Sequence, residues 1–167
     1  VRPVSRSAVL VSKLVAGCSY AVALTLALGA VALGLGYLVF GWGDLVIFRG
    51  GLTILDPHTG LARIAEAYGL AALAMSTVAA LTLLFSVVCD NPMTAAGLTV
   101  ALLLVCGIIA QMPYFERIEP HLITSHLQLY REVLAVQVKW PALIKSVVYL
   151  GGYAVVSVAL ALAVFTR

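Results

Sequence analysis

The sequence predicts an all-α fold, a polytopic bundle of transmembrane helices built from one membrane domain over residues 1–167. Composition is the first reason: 63% of the residues are hydrophobic and only 10% are charged, whereas about a quarter of a soluble domain is charged. The mean hydropathy of the chain is +1.10. The second reason is that four uncharged apolar runs each approach or exceed the roughly 20 residues that a helix needs to cross a bilayer.

The first span is predicted over residues 14–40, a run without a single charge that follows Lys13. It is long enough to tilt across the hydrocarbon core. Tyr37 and Trp42 fall near its end, where aromatic side chains favour the membrane interface.

The second and third spans are predicted over residues 67–88 and 93–112. The string Cys-Asp-Asn-Pro at residues 89–92 separates them, and its Pro and Asn are typical of a turn. Such a short connection predicts an antiparallel helical hairpin. Pro113 closes the third span.

The fourth span is predicted over residues 146–165, between Lys145 and Arg167 as interfacial anchors. Residues 44–66, which connect the first two spans, are rich in turn formers and are expected outside the bilayer.

A second charged connection, residues 113–139, joins the last two spans and is expected to form an amphipathic helix at the external interface. Its apolar residues Ile123, Leu127, Tyr130 and Leu134 repeat at helical spacing. Many charged residues lie between them, and this makes the segment too polar to span.

Charge distribution predicts which side the termini occupy. An even number of spans puts both termini on one side of the membrane. The first 13 residues hold three basic residues and no acidic one, whereas the two long connections mix both signs. The density of positive charge therefore favours cytoplasmic termini.

The candidates for chemistry are few, and no catalytic, cofactor-binding or metal site is predicted. The predicted spans contain no ionisable group of the kind that marks function inside a membrane. Glu66 lies at the edge of the second span, where a solvated carboxylate is expected. His121 and His126 are five residues apart, which places them about 140° apart around a helix, so they are expected on the wet face of the interfacial helix. No histidine lies within the spans to activate a serine such as Ser146.

Other sites are excluded by composition and motif. The three cysteines are isolated and fall in or beside apolar stretches, where they are expected to pack as small apolar residues. No basic run is dense enough to follow a nucleic-acid backbone, so no nucleic-acid partner is expected. The sequence also lacks the Gly-x-x-x-x-Gly-Lys-Ser/Thr string that cradles phosphates. Any ATP chemistry must then come from another chain.

The polar residues within the spans are the remaining candidates for a transport path or an interface. Ser76, Thr77 and Gln111 are the main ones. Small residues at four-residue spacing, as at Ala72, Ser76 and Ala80, permit close helix approach. They fit packing within the subunit and also an interface between subunits.

Several strings resemble the permeases of type-2 ATP-binding-cassette (ABC) transporters, over nearly the whole chain. The string at residues 3–16, Pro-Val-Ser-Arg followed by Lys13 and Ala16, resembles the Pro-x-Ser-Arg … Lys-x-x-Ala motif that leads into the third transmembrane helix of that family. The hairpin turn at residues 89–92 follows in order. The stretch Pro-His-Leu-Ile-Thr-Ser-His at residues 120–126 then resembles a Pro-Tyr-Leu-Phe-Thr-Thr-His stretch in a subset of these permeases.

The resemblance implies an ABC exporter of the bacterial plasma (inner) membrane, surrounded by the lipid bilayer. Two permease subunits, identical or homologous, would pair, and each would dock a separate ATPase subunit on the cytoplasmic side. This chain would itself carry no cofactor and no hydrolytic activity. The residues expected to couple to the ATPase are Pro3, Ser5, Arg6, Asp90 and Asn91.

One departure from the family pattern leaves alternatives open. The family usually has six spans, and its first two have no counterpart in these residues, so they are expected on a missing segment or on another polypeptide. A structural or assembly subunit of a larger membrane complex is the main alternative function. An intramembrane enzyme, resting on Glu66 and the two histidines, is a third.

Overall fold

The computed structural model shows four long helices, two short helices and one small β-hairpin. In chain order these are α1 (Arg6–Phe40), β1 (Leu45–Ile47), β2 (Thr53–Leu55), α2 (Pro57–Val88), α3 (Pro92–Ile109), α4 (Ile123–Leu127), α5 (Tyr130–Val133) and α6 (Trp140–Thr166). The structure describes residues 6–47, 53–89, 91–112, 114, 122–134 and 140–166.

Four helices in these described ranges, α1, α2, α3 and α6, are long and apolar enough to cross a membrane. The predicted all-α membrane bundle is therefore confirmed. Large apolar side chains remain exposed along these helices, for example Leu38 and Phe40, which are 79% and 87% exposed. Such a surface is stable in lipid, where an outward-facing apolar side chain has no water to avoid.

Three of the long helices extend beyond the predicted spans. They begin at Arg6, Pro57 and Trp140 rather than at residues 14, 67 and 146. The predicted limits were set at the ends of the uncharged runs. A helix can continue through charged residues once it has left the hydrocarbon core, and it ends where its terminal backbone groups find capping partners. The third helix ends at Ile109, three residues before the predicted limit.

Local capping explains where α2 and α3 begin. The Asp56 carboxylate accepts a hydrogen bond from the backbone N–H of His58 at 3.3 Å, and Pro57 occupies the first helical position. The Asn91 side chain accepts from the Met93 N–H at 2.9 Å, again with a proline following the cap. Both prolines have the φ that a first helical turn needs.

Helix α2 is the centre of the bundle and packs against α1, α3 and α6. Gly17 of α1 lies beside Ala79 of α2, and Gly29 lies beside Tyr68. Because the numbers rise along one helix as they fall along the other, α1 and α2 are antiparallel. The short connection after Val88 makes α3 antiparallel to α2 in turn.

The bundle therefore has two distinct ends. The end that holds the first turn of α1 and the α2–α3 connection is called the turn end here. The opposite end holds β1, β2, α4 and α5, and is called the cap end. The guanidinium of Arg63 reaches the Val133 carbonyl oxygen of α5 at 3.5 Å. His126 of α4 contacts Ser146 near the start of α6, so α2 and α6 both begin at the cap end.

The connection between α1 and α2 contains the antiparallel hairpin, in which Leu45 pairs with Leu55 and Ile47 with Thr53. The sequence predicted turn formers here but no strands. Trp42 makes edge-to-face contacts with the rings of Tyr37 and His58, at centroid distances of 6.2 and 6.1 Å.

The segment between α3 and α6 differs from the single amphipathic helix expected at the interface. Within the described residues 122–134, two short helices, α4 and α5, meet at a turn. Residues at three-residue spacing, Ile123, His126 and Leu129, are buried, as is Val133. The buried side therefore differs from the one predicted by the repeat of Ile123, Leu127, Tyr130 and Leu134, and it is displaced toward His126. The segment thus packs into the bundle between α2, α3 and α6.

Candidate functional site

Two of the residues predicted to couple to an ATPase, Arg6 and Asn91, lie at the turn end. Arg6 begins α1, and Asn91 caps α3. Gly17 of α1 lies beside Ala79 of α2, and the two helices are antiparallel. When this pairing is continued toward the start of α1, the first turn of α1 comes level with the α2–α3 connection. Pro3, Ser5 and Asp90 lie outside the described residues.

Ser76 and Thr77, two of the three predicted path residues, line the same cleft of about 540 Å³ between α1, α2 and α6. Their hydroxyls donate to backbone carbonyls one turn earlier, Ser76 to Ala72 at 2.8 Å and Thr77 to Leu73 at 3.2 Å. The thiol of Cys18 lies 3.9 Å from the Ser76 carbonyl oxygen and links α1 to this part of α2. The cleft therefore presents an apolar surface with its polar atoms turned to the backbone.

Gln111, the third predicted path residue, lies apart from this cleft. It follows the end of α3, is exposed, and donates from Nε2 to the Gly107 carbonyl oxygen at 3.2 Å. Ser76 and Thr77, by contrast, occupy the middle of α2. The structure joins two of the three residues and leaves Gln111 toward the cap end.

A buried polar contact at the cap end was missed by the sequence analysis. His126 Nδ1 lies 3.0 Å from the Ser146 hydroxyl, and the two residues are 7% and 9% exposed. The imidazole stacks on the ring of Tyr149 at 4.7 Å with an interplanar angle of 7°. We call His126, Ser146 and Tyr149 the His126 cluster.

The His126 cluster corrects two expectations. His126 was expected on the wet face of an interfacial helix, but it is buried between α4 and α6. Ser146 was also expected to have no histidine near it, because none lies within the predicted spans. His121 lies outside the described residues.

Chemically, a histidine beside a serine hydroxyl is the pair from which an activated nucleophile is built. Here both members are buried and the imidazole face is covered by Tyr149, so a substrate has no open approach to the hydroxyl. The arrangement suits a polar connection that fixes α4 against α6. Next to it, the hydroxyl oxygens of Thr124 and Ser125 are buried and have no hydrogen-bond partner among the described residues.

No local signal in the sequence could have revealed this cluster. His126 and Ser146 are 20 residues apart, and the contact requires the chain to turn after α4 and return as α6. The apolar repeat over residues 123–134 predicted that another side of this segment would be buried, because the prediction assumed one continuous helix.

The other predicted chemical candidates remain apart from it. Glu66 is exposed on α2, and the thiols of Cys18, Cys89 and Cys106 are unlinked. Within the described residues, His, Cys, Asp and Glu side chains form no group of three that could hold a metal ion.

Comparison with known families places the chain. The model of a family described as "Protein of unknown function (DUF2705)" matches residues 1–167. The chain belongs to this family. No curated protein and no solved structure matches the chain. For this member of DUF2705, function must therefore be argued from the membrane bundle and its residues.

Proposed function

We propose that the chain is the membrane-spanning permease subunit of an ATP-driven ABC exporter in the bacterial plasma membrane. The observation that supports the proposal best is the shared turn end, where the first turn of α1 lies level with the α2–α3 connection. The residues that resemble the family's coupling motif, such as Arg6, therefore lie at the same end of the bundle as the residues of the hairpin turn, such as Asn91.

The turn end has a shape and a charge suited to docking a soluble ATPase. It is formed by helix ends rather than by lipid-facing helix sides, and Arg6 lies in the first turn of α1. Positive residues near the ends of spans favour the cytoplasmic side, where ATP is available. Because the sequence has no phosphate-cradling string, the proposal assigns hydrolysis to a separate subunit.

The cleft that contains Ser76 and Thr77 gives the proposed cargo path its position. It lies where α1, α2 and α6 meet, and Gly151 of α6 leaves room on its far side. A shift of α6 relative to α2 would widen or close this cleft and leave the hydrogen bonds of the Ser76 and Thr77 hydroxyls intact, because both are made within α2. A second permease copy or homologue would complete the path.

The central experiment is co-purification of the chain from its native membrane. The proposal predicts a stoichiometric partner with a nucleotide-binding cassette, together with ATP hydrolysis by the complex. A native complex that contains no such subunit would refute it.

Charge reversal at the turn end tests the coupling residues. Arg6→Glu should weaken ATPase docking, or separate ATP hydrolysis from transport, while the purified chain keeps its helical content. Lys145→Glu is the matched control, since Lys145 is an exposed lysine near the start of α6 at the cap end. Equal effects of the two reversals on docking would remove Arg6 from the contact.

A structural or assembly subunit of a larger membrane complex is the second candidate. The exposure of α1 favours it, because large apolar side chains along that helix, including Val15, Leu28 and Leu35, are 57–61% exposed and could contact another membrane subunit as well as lipid. This alternative predicts a stoichiometric partner without an ATPase cassette, so the same purification distinguishes the two.

A further inference from the structure

A long groove of about 640 Å³ runs between α1 and α2 on the outer surface of the bundle. Along α1 it extends from Lys13 to Leu28, and along α2 from Ser86 back to Tyr68. At 1.5 Å per helical residue its length on α1 is about 22 Å. It is distinct from the cleft that contains Ser76 and Thr77, which opens on the other side of α2 toward α6.

Small residues make the floor of this groove and large apolar residues make its walls. At the floor, a Cβ on Gly17 would lie 4.0 Å from the Ala79 side chain, so the two backbones are close. On the walls, Leu24 and Met75 are 49% and 47% exposed. The groove is therefore a narrow apolar slot that is open to the surrounding lipid.

The two ends of the groove are chemically different. Toward the cap end, the Tyr68 ring lies over Gly29, with ring carbons 3.0–3.1 Å from the position that a Cβ would take there, and it closes the slot. Toward the turn end, the groove is lined by the exposed Lys13 of α1 and by Ser86 of α2. Among the described residues that line the groove, Lys13 alone is charged.

We propose that this groove binds an anionic phospholipid, with the phosphate on Lys13 and one acyl chain lying along the slot toward Tyr68. Lys13 directly precedes the uncharged run of α1, so its amine lies at headgroup level. A basic side chain at that level attracts anionic lipid. The slot of about 22 Å exceeds one leaflet of roughly 15 Å, half of the hydrocarbon core, and therefore accommodates the full depth of an acyl chain.

The dimensions favour a lipid over a second copy of this chain. A helix with its side chains is about 10 Å across, far wider than one acyl chain, whereas the floor of the groove is made of small residues such as Gly17 and Ala79. A flexible acyl chain fills such a slot and buries its apolar floor. The inference does not depend on the permease assignment, since it needs only the α1–α2 pair in a bilayer.

The test uses the purified full chain in detergent, with native mass spectrometry after addition of phosphatidylglycerol or phosphatidylcholine that have identical acyl chains. We expect the chain to bind phosphatidylglycerol in preference to phosphatidylcholine. Lys13→Ala should lower this preference about fivefold, because one lysine near the membrane surface contributes about 1 kcal/mol to the binding of anionic lipid. Lys145→Ala, an exposed lysine outside the groove, should leave the preference unchanged.

A second measurement locates the acyl chain. Phosphatidylglycerol with a photoactivatable diazirine on its acyl chain should crosslink to the peptides that contain Leu24 and Met75. Ala21→Leu, which fills the slot, should lower this crosslinking severalfold. Ala23→Leu, on an exposed position of α1 that does not line the groove, should not.

Three results would overturn the proposal. One is an equal loss of lipid preference in the Lys13 and Lys145 variants. Another is crosslinking that maps outside the groove. The third is a dimer in which a second copy of the chain covers the groove. In that case the lipid crosslinks would be absent, and Ala21→Leu would convert the dimer to a monomer.

Discussion

Gly29→Ala should destabilise the bundle because the added methyl group would collide with the ring of Tyr68. The Cβ position at Gly29 lies 3.0 Å from Tyr68 Cδ1 and 3.1 Å from both Cε1 and Cγ. Carbon atoms that pack well are about 3.5–4.0 Å apart, so ring and helix must separate by several tenths of an ångström. Overpacking of this kind costs about 1–3 kcal/mol.

Gly34→Ala is the matched control in the same helix. No atom of the residues that the structure describes lies within 4 Å of the Cβ position at Gly34, so the added methyl group has no described neighbour to displace. Both substitutions gain the same helical preference of alanine over glycine, about 0.5–1 kcal/mol. The difference between the two variants therefore isolates the collision with Tyr68.

The assay is reversible unfolding of the purified chain in mixed micelles with increasing denaturing detergent, with helical circular dichroism as the signal. Gly29→Ala should be less stable than Gly34→Ala by about 1–3 kcal/mol. In a Tyr68→Ala background the penalty at position 29 should vanish, since the ring is gone, and a double-mutant cycle measures that coupling. Equal stability of the two glycine variants, or a penalty that persists without the ring, would refute the reasoning.

Three further substitutions can be measured with the same unfolding assay. Asn91→Ala removes the side-chain cap of α3, which bonds the Met93 N–H at 2.9 Å, and should cost about 1 kcal/mol; an unchanged stability would show that the cap contributes nothing. Ser146→Ala leaves the buried His126 nitrogen without its hydroxyl partner at 3.0 Å and should cost about 1–3 kcal/mol. Ser19→Ala, whose exposed hydroxyl bonds its own helix, is its control, and equal costs would contradict the role of the contact. Thr124→Val keeps the shape of the side chain but removes a buried hydroxyl that has no partner among the described residues, so stability should stay equal or rise by about 1 kcal/mol; a clear loss would show that this hydroxyl is bonded.

The candidate site divides into a part that the sequence predicts and a part that it cannot. The hairpin turn and the cap at Asn91 follow from residues adjacent in the chain, so the turn end is predictable from composition and local chemistry. The pairing of Ser76 with Thr77 in one cleft also needs only their neighbouring positions on α2. Gln111 was grouped with them because all three are polar residues in apolar runs, but its place beyond α3 separates it.

The cap end shows where periodicity fails. An apolar repeat over residues 123–134 assumes a uniform helix, yet the chain turns between α4 and α5 so that Leu129 enters the core, where it is 1% exposed. His126 then faces α6 instead of water. A buried imidazole is stable when its polar atoms have hydrogen-bond partners, and the hydroxyl of Ser146, 20 residues later, is one of them.

The sequence by itself determined the membrane bundle, because the thickness of the bilayer translates the length of an uncharged run into a span. The turn at residues 89–92 likewise located the start of α3 at Pro92, whereas the start of α2 at Pro57, capped by Asp56, lies ten residues before the predicted span. Only the tertiary structure decided the lipid-sized groove beside Lys13 and the burial of His126. Both depend on side chains from different helices meeting in space, and lipid-facing and helix-facing apolar residues are chemically alike, so the pattern along the chain does not tell them apart.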